Sequence, residues 1–180
     1  IATVEDPSEI QLSGVNQVNI KEHIGLNFAS SLKAFLRQDP DVLMVGEIRD
    51  SETADIAIKA SQTGHLVLST LHTRNAIGAL TRLKTLGIDQ ESIESCLLCV
   101  SSQRLIRKRC NHCNLIPNEL PCKLCKGSGY FGRIGIHEVL GDKQLFESAK
   151  ALDIHSAGML LLKSGLIDQI SLDAELGTWH

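Results

Sequence analysis

The chain holds 180 residues, 43% of them hydrophobic and 22% charged, with a formal net charge of −3 at pH 7. That length can bury a sizeable core, and the mildly acidic balance argues against a broad nucleic-acid or anionic-membrane surface. No run of residues is long and apolar enough to cross a bilayer, and the first residues do not read as a charged-then-apolar secretory leader.

Ile1 to Val4 reads as the second half of a buried strand, so the chain is expected to begin inside a domain. The strand runs into Glu5, Asp6 and Pro7, and the proline prevents its continuation. Gln11 to Ile20 reads as irregular or hairpin structure, with Gly14 and Asn16 as turn formers. Leu26, Phe28, Ala29, Leu32, Phe35 and Leu36 then recur at helical spacing up to Pro40.

Val42 to Val45 are consecutive apolar residues between Pro40 and Gly46, which predicts a strand buried on both faces of a parallel sheet. It ends on Gly46, Glu47 and Arg49. Ligands bind at the carboxyl ends of strands in such sheets, and a glycine there would let a phosphate or a water approach the backbone. The plainer alternative is a surface ion pair between Glu47 and Arg49.

Asp50 or Ser51 caps the next helix, which Gly64 closes. His65 to Leu71 forms a third strand, running into His72 and Thr73, and Ala76 to Leu86 a further helix ended by Gly87. Strand and helix alternate in the order expected of a right-handed parallel α/β core. His65 and His72 lie at opposite ends of one strand, so only His72 reaches the active end, where an imidazole could bond a terminal phosphate or simply be solvated.

From Gln90 the spacing predicts a long helix through Ile93, Leu97, Val100 and Leu105, then a basic cluster of Arg104, Arg107, Lys108 and Arg109. Cys110-x-x-Cys113 and Cys122-x-x-Cys125 follow, joined by a short linker containing Pro117 and Pro121. Two such knuckles let four thiolates converge on one tetrahedral Zn²⁺, a closed and therefore structural site. Free or disulfide-paired cysteines are the alternative. Cys96 and Cys99 fall on the predicted apolar helical face and read as core thiols, and His112 is a less favoured substitute ligand. Gly132 to Val139 alternates as one arm of a hairpin, and the tail from Asp142 is helical in pattern with breaks near Gly158 and Gly165.

These residues resemble a known family. Ile1 to Glu9, Leu36 to Ala54 and Thr63 to Thr73 are similar in order and spacing to the Asp box, Walker B and His box of the type II secretion and type IV pilus assembly ATPases. Gln103 to Cys113 and Gly129 to Val139 resemble that family's tetracysteine zinc element. The resemblance implies an α/β, RecA-like parallel sheet core, partial and lacking its amino-terminal part, with a zinc-binding hairpin and a helical carboxyl-terminal segment. It divides the chain into residues 1–88, a partial ATPase core, 89–141, a helix plus the zinc element, and 142–180, the helical segment.

By the same resemblance Glu47 is the Walker B glutamate and Glu5 the Asp-box acid near Mg²⁺ or the attacking water. His72, Asp6 and Arg49 then belong to the nucleotide site, and Cys110, Cys113, Cys122 and Cys125 hold structural Zn²⁺. The expected assembly is a cytoplasmic homo-hexamer, peripheral to the inner membrane, hydrolysing ATP with Mg²⁺ to drive pseudopilus or pilus assembly. Its expected partner is an inner-membrane platform protein, met through the zinc hairpin and the Arg107, Lys108, Arg109 and Lys126 cations; no nucleic acid is expected.

No Gly-x-x-x-x-Gly-Lys-Ser/Thr occurs in these residues, so hydrolysis by this stretch alone is not expected. Two other readings stay open: a non-enzymatic zinc-stapled interaction module or degenerate ATPase subunit, and a zinc knuckle that binds nucleic acid or unfolded peptide.

Overall fold

The structure, a computed structural model, describes residues 1–113, 122–141, 146 and 152–177. The linker prolines Pro117 and Pro121, and most of the predicted helical pattern from Asp142 to residue 151, lie outside the described residues. The chain divides into two units, residues 1–98 and 99–180.

In the first unit four parallel strands, β1 (Ala2–Glu5), β2 (Asn16–Asn19), β3 (Val42–Val45) and β4 (Leu66–Ser69), form a sheet in the order β2-β1-β3-β4. Helices α1 (Phe28–Phe35), α2 (Ser51–Gln62), α3 (Ala76–Thr85) and α4 (Gln90–Cys96) intervene or follow. The side chains of Asn27, Asp50, Asn75 and Asp89 each accept the backbone N–H three residues on, satisfying one orphan donor per helix. Of the two predicted caps of α2, Asp50 is therefore the one used.

Register fixes which residues share a face. Ala2 and Val4 stand beside Leu43 and Val45, all buried, while Phe28, Leu32 and Phe35 of α1 and Ala54 and Ala57 of α2 fill the adjoining layer. The other face carries Thr3, Met44, Leu66 and Leu68, and there Leu66 and Leu68 are 48% and 51% exposed. Val42 to Val45 thus alternates between half-buried and buried, a one-sided pattern where burial on both faces was expected.

Two further expectations are corrected. Asn16 to Asn19 is neither irregular nor a hairpin arm: it pairs in parallel with β1, and Asn16 N–H and Ile20 N–H donate to Ile1 and Glu5 carbonyls at 3.1 and 3.0 Å. The long helix after Gln90 stops at Cys96, and Val100 and Leu105 lie on a strand. Ile93 and Leu97 fit a 3.6-residue period, but Val100, Ser102, Arg104 and Ile106 bury in steps of two, which only a strand delivers. Cys96 is half-buried at the helix end and Cys99 is exposed, so neither is a core thiol.

The second unit is an antiparallel pair, β5 (Cys99–Arg109) and β6 (Tyr130–Gly141), with α5 (Ile154–Lys163) and α6 (Gln169–Leu176). Ile106, Ile136, Ile167 and Leu172 form its core. Asp153 and Asp168 cap α5 and α6. Gly165 ends α5 with φ +75°, as the pattern predicts, but Gly158 does not break it. A Cβ at Gly158 would stand 2.5 Å from Leu172 Cδ1, so the missing side chain is what lets α6 approach α5. The two arms are tied to the helices by Arg109 N–H donating to Leu166 C=O at 2.9 Å and by the Tyr130 hydroxyl donating to Asp168 Oδ2 at 2.5 Å.

Candidate functional site

In the first unit β1, β3 and β4 are neighbours and run the same way, so Glu5, Glu47 and His72 leave the sheet at one edge. Glu47 Oε2 lies 2.9 Å from His72 Nε2, and its Oε1 is ion-paired with Arg49. The Glu47 side chain is only 14% exposed, against 57% for Arg49 and 84% for His72. The hydrogen bond from Arg49 holds the Glu47 carboxyl below its ordinary pKa; burial opposes this, and His72 adds to the lowering. Arg49 is raised in return, chiefly by Glu47, with Asp6 and Glu22 contributing through their charge.

Asp6 itself is exposed just beyond β1. Glu5, half-buried, accepts from Thr3 Oγ1 at 2.6 Å and from Gln17 Nε2 at 3.0 Å, which fixes its carboxylate beside the β1–β2 seam. The edge therefore gathers carboxylates around two cationic or imidazole donors, a set that can orient water, bind a divalent cation and reach anionic oxygens. Gln17 and Glu22 escaped the sequence reading: Gln17 comes from the segment read as irregular or hairpin and is brought in by the parallel register, and Glu22 follows in the helical turn just after β2.

Gly46 serves a different purpose from the one expected. Its N–H donates to Val4 C=O at 2.8 Å, and a Cβ would lie 3.2 Å from that oxygen and 3.3 Å from Glu5 Cα. The position is occupied by the β1 backbone, so the glycine lets two strands close up rather than admitting a phosphate. His65, at the far end of β4, bonds Ala60 C=O through Nδ1 at 2.9 Å and takes no part in the edge.

In the second unit Cys110, Cys113, Cys122 and Cys125 bring their sulfurs within 4.8 Å of one another. Cys110 to Cys122 is 3.9 Å and Cys113 to Cys125 is 3.5 Å. Tetrahedral thiolates around Zn²⁺, each about 2.3 Å from the ion, would stand about 3.8 Å apart, so the four sulfurs fit a metal. Neither of these sulfur pairs stands at disulfide bonding distance. Burial would raise the Cys125 thiol, but backbone N–H groups of Gly129 and Gly127 and the Cys113 thiol overcome it and bring it down to about 6. His112 Nδ1 lies 3.5 Å from Cys122 Sγ, outside the four-sulfur set.

A parallel sheet with an acid-tipped edge and a hairpin carrying four convergent cysteines are the two features to set beside known proteins. The family described as "Type II/IV secretion system protein" matches residues 1–158, and the chain belongs to it. It is 46% identical over 178 residues to the protein transport protein HofB homolog of Haemophilus influenzae, covering 98% of this chain and 38% of that protein. It is 46% identical over 184 residues to the type IV pilus assembly ATPase PilB of Acinetobacter baylyi, covering 86% and 32%. The type II secretion system protein E of Pectobacterium carotovorum is 46% identical over 159 residues, covering 78% and 32%.

Among solved structures, the pilus retraction motor PilT with bound ADP superposes with a TM-score of 0.74 at 29% identity, over 96% of this chain and 51% of that one. The Legionella pneumophila ATPase DotB matches in fold, with a TM-score of 0.70 at 21% identity, over 96% and 50%. The chain thus spans about a third of the curated relatives it matches and half of these solved chains.

Proposed function

We propose that residues 1–98 supply the water- and metal-handling edge of an ATPase that drives pseudopilus or pilus assembly. The observation that carries this is the Glu47 carboxylate, ionised and fixed between Arg49 and His72 beside Glu5 on one sheet edge. When bound, Mg²⁺ would neutralise phosphate charge there, with Glu5 and Asp6 as its nearest carboxylates in sequence and Glu47 as the orienting acid for water. Arg49 and His72 now face Glu47, and a terminal phosphate would compete for both donors. That exchange would free Glu47 to accept from water just as phosphate arrives.

The 180 residues contain no Gly-x-x-x-x-Gly-Lys-Ser/Thr, so this stretch alone is not expected to turn over ATP. We take the working protein to be a cytoplasmic homo-hexamer, peripheral to the inner membrane, with a platform protein there as partner. Its zinc hairpin, including Arg107, Lys108, Arg109 and Lys126, is the docking element, and Cys110, Cys113, Cys122 and Cys125 hold Zn²⁺.

The test is hydrolysis by a longer chain carrying a phosphate loop. Glu47→Gln and Glu5→Gln should each slow turnover by on the order of a hundredfold or more while nucleotide affinity changes little. His72→Ala should be milder. Parallel losses of affinity and turnover in all three would show that these residues hold the fold and not the reaction.

A further inference from the structure

The β2 strand reads Asn16-Gln17-Val18-Asn19, a poor composition for a strand, and its amides have specific duties. The parallel register sets Gln17 opposite Thr3 and Asn19 opposite Glu5, so these four side chains rise from one face of the sheet. Gln17 is half-buried and makes three hydrogen bonds: Nε2 donates to Glu5 Oε1 and to Ile10 C=O, each at 3.0 Å, and Oε1 accepts from Leu12 N–H at 2.6 Å. Turning the amide over would set its carbonyl against the Glu5 carboxylate and the Ile10 carbonyl, and its NH₂ against Leu12 N–H, so one orientation is imposed. Asn19 Oδ1 accepts from Ser8 N–H at 2.7 Å, a second tie between β2 and the loop that leads into it from β1.

Thr3, which is buried, donates its hydroxyl to the same Glu5 oxygen, Oε1, at 2.6 Å. Both donors thus reach Oε1 and neither reaches Oε2. A carboxylate oxygen that already accepts two hydrogen bonds has little lone-pair capacity left for a cation, whereas its twin keeps its own. Hydrogen bonds to a ligating carboxylate also fix its direction before the ion arrives.

We infer that Gln17 is a positioning residue: with Thr3 it anchors Glu5 through Oε1, presents Oε2 to a divalent cation or its water, and ties that orientation to the fold of the loop of residues 6–15. The inference rests on Glu5 serving the metal- and water-handling edge proposed above, and names what aims it. Gln17 acts through Glu5 alone. The plainer role, holding the loop, would use the bonds to Ile10 and Leu12 and leave the working of Glu5 indifferent to residue 17.

The experiment uses the longer chain carrying a phosphate loop, and measures kcat and KM for ATP together with binding of Mn²⁺ in the presence of ADP, read by electron paramagnetic resonance. Gln17→Met, similar in length but without the amide, should lower kcat about tenfold at unchanged KM and weaken Mn²⁺ binding about tenfold, the scale on which partners of metal-ligating residues act. Thr3→Val removes the other donor without touching the loop and should move both quantities the same way by a smaller factor. In a Glu5→Gln background Gln17→Met should cause no further loss, because the group it orients is gone. If Glu5→Gln slows turnover but Gln17→Met and Thr3→Val leave kcat and Mn²⁺ binding unchanged, the inference is overturned and the reading of the edge stands. If Gln17→Met costs as much in the Glu5→Gln background as alone, the residue serves only the loop and the inference is overturned likewise. If Glu5→Gln itself leaves turnover unchanged, the reading of the edge fails and the inference with it.

Discussion

Glu47 is held by His72 through one oxygen, Oε2 to Nε2 at 2.9 Å, and by Arg49 through the other, so both carboxylate oxygens are committed before any ligand arrives. Arg49 first, and His72 after it, hold the pKa below its ordinary value against the opposing effect of burial. A carboxyl lowered on folding stabilises the protein above its unfolded pKa of about 4.3, and that contribution disappears as pH falls through the folded value. Wild type should therefore melt higher than Glu47→Gln at pH 7, and the gap should close as pH drops below about 4. A gap that persists at low pH would mean Gln disturbs packing instead.

Replacing Gly46 by alanine should separate β1 from β3. The new Cβ meets backbone, Val4 O at 3.2 Å and Glu5 Cα at 3.3 Å, and backbone cannot swing aside. A loss of about 1–3 kcal/mol in urea unfolding is expected from such overpacking. Because the same shift moves Glu5 away from Glu47, turnover in the longer chain should fall as well. Unchanged stability would contradict the close approach.

Gly158→Ala sets two effects against each other. Alanine favours a helix over glycine by about 0.5–1 kcal/mol, but its Cβ would press on Leu172 Cδ1 at 2.5 Å. Overpacking in a core costs about 1–3 kcal/mol, so net destabilisation of the second unit is expected. Combining it with Leu172→Ala should cost less than the two changes summed, since the partner in the clash is gone. Additive losses in chemical denaturation would refute the contact.

One zinc per chain should be found by metal analysis, lost on Cys122→Ser with Cys125→Ser. Structural zinc contributes on the order of 10 kcal/mol of folding free energy in small zinc peptides, so chelation should unfold the second unit before the first. Hydrogen exchange should register this earliest at Cys110 N–H, which donates to Gly129 C=O at 2.8 Å across the base of the metal loop. Stoichiometric zinc in the double serine variant would rule out the four-sulfur site.

Strand ends, caps and the cysteine knuckles were legible because each is written in neighbouring residues: Asp50 before an amphipathic run, Gly46-Glu47 after an apolar one, Cys110 and Cys113 at knuckle spacing. What escaped depends on pairing between distant segments. Asn16 to Asn19 is too polar to announce a strand and is one because β1 offers its free edge. Leu97 to Val100 continues the apolar run of the preceding helix, and the choice of strand from Cys99 onward is made by β6, some forty residues on. Gln17 beside Glu5 and Arg133 beside Arg107 follow from those pairings and leave no local trace.

The placing of β1 between β2 and β3 has a consequence for how the chain reaches this state. Its partners are reached only after connecting segments that include α1, so loop-closure entropy must be met before the ladders return anything, and collapse of the first unit is expected to be slow. Until it completes, β4 is a short apolar strand with no strand on its outer edge among the described residues, and Leu66 and Leu68 remain half-exposed even afterwards. The interval before β1 is clasped is thus when the chain is most prone to self-association and to capture by chaperones, and Leu68→Lys should raise its refolding yield without altering the Glu47 edge.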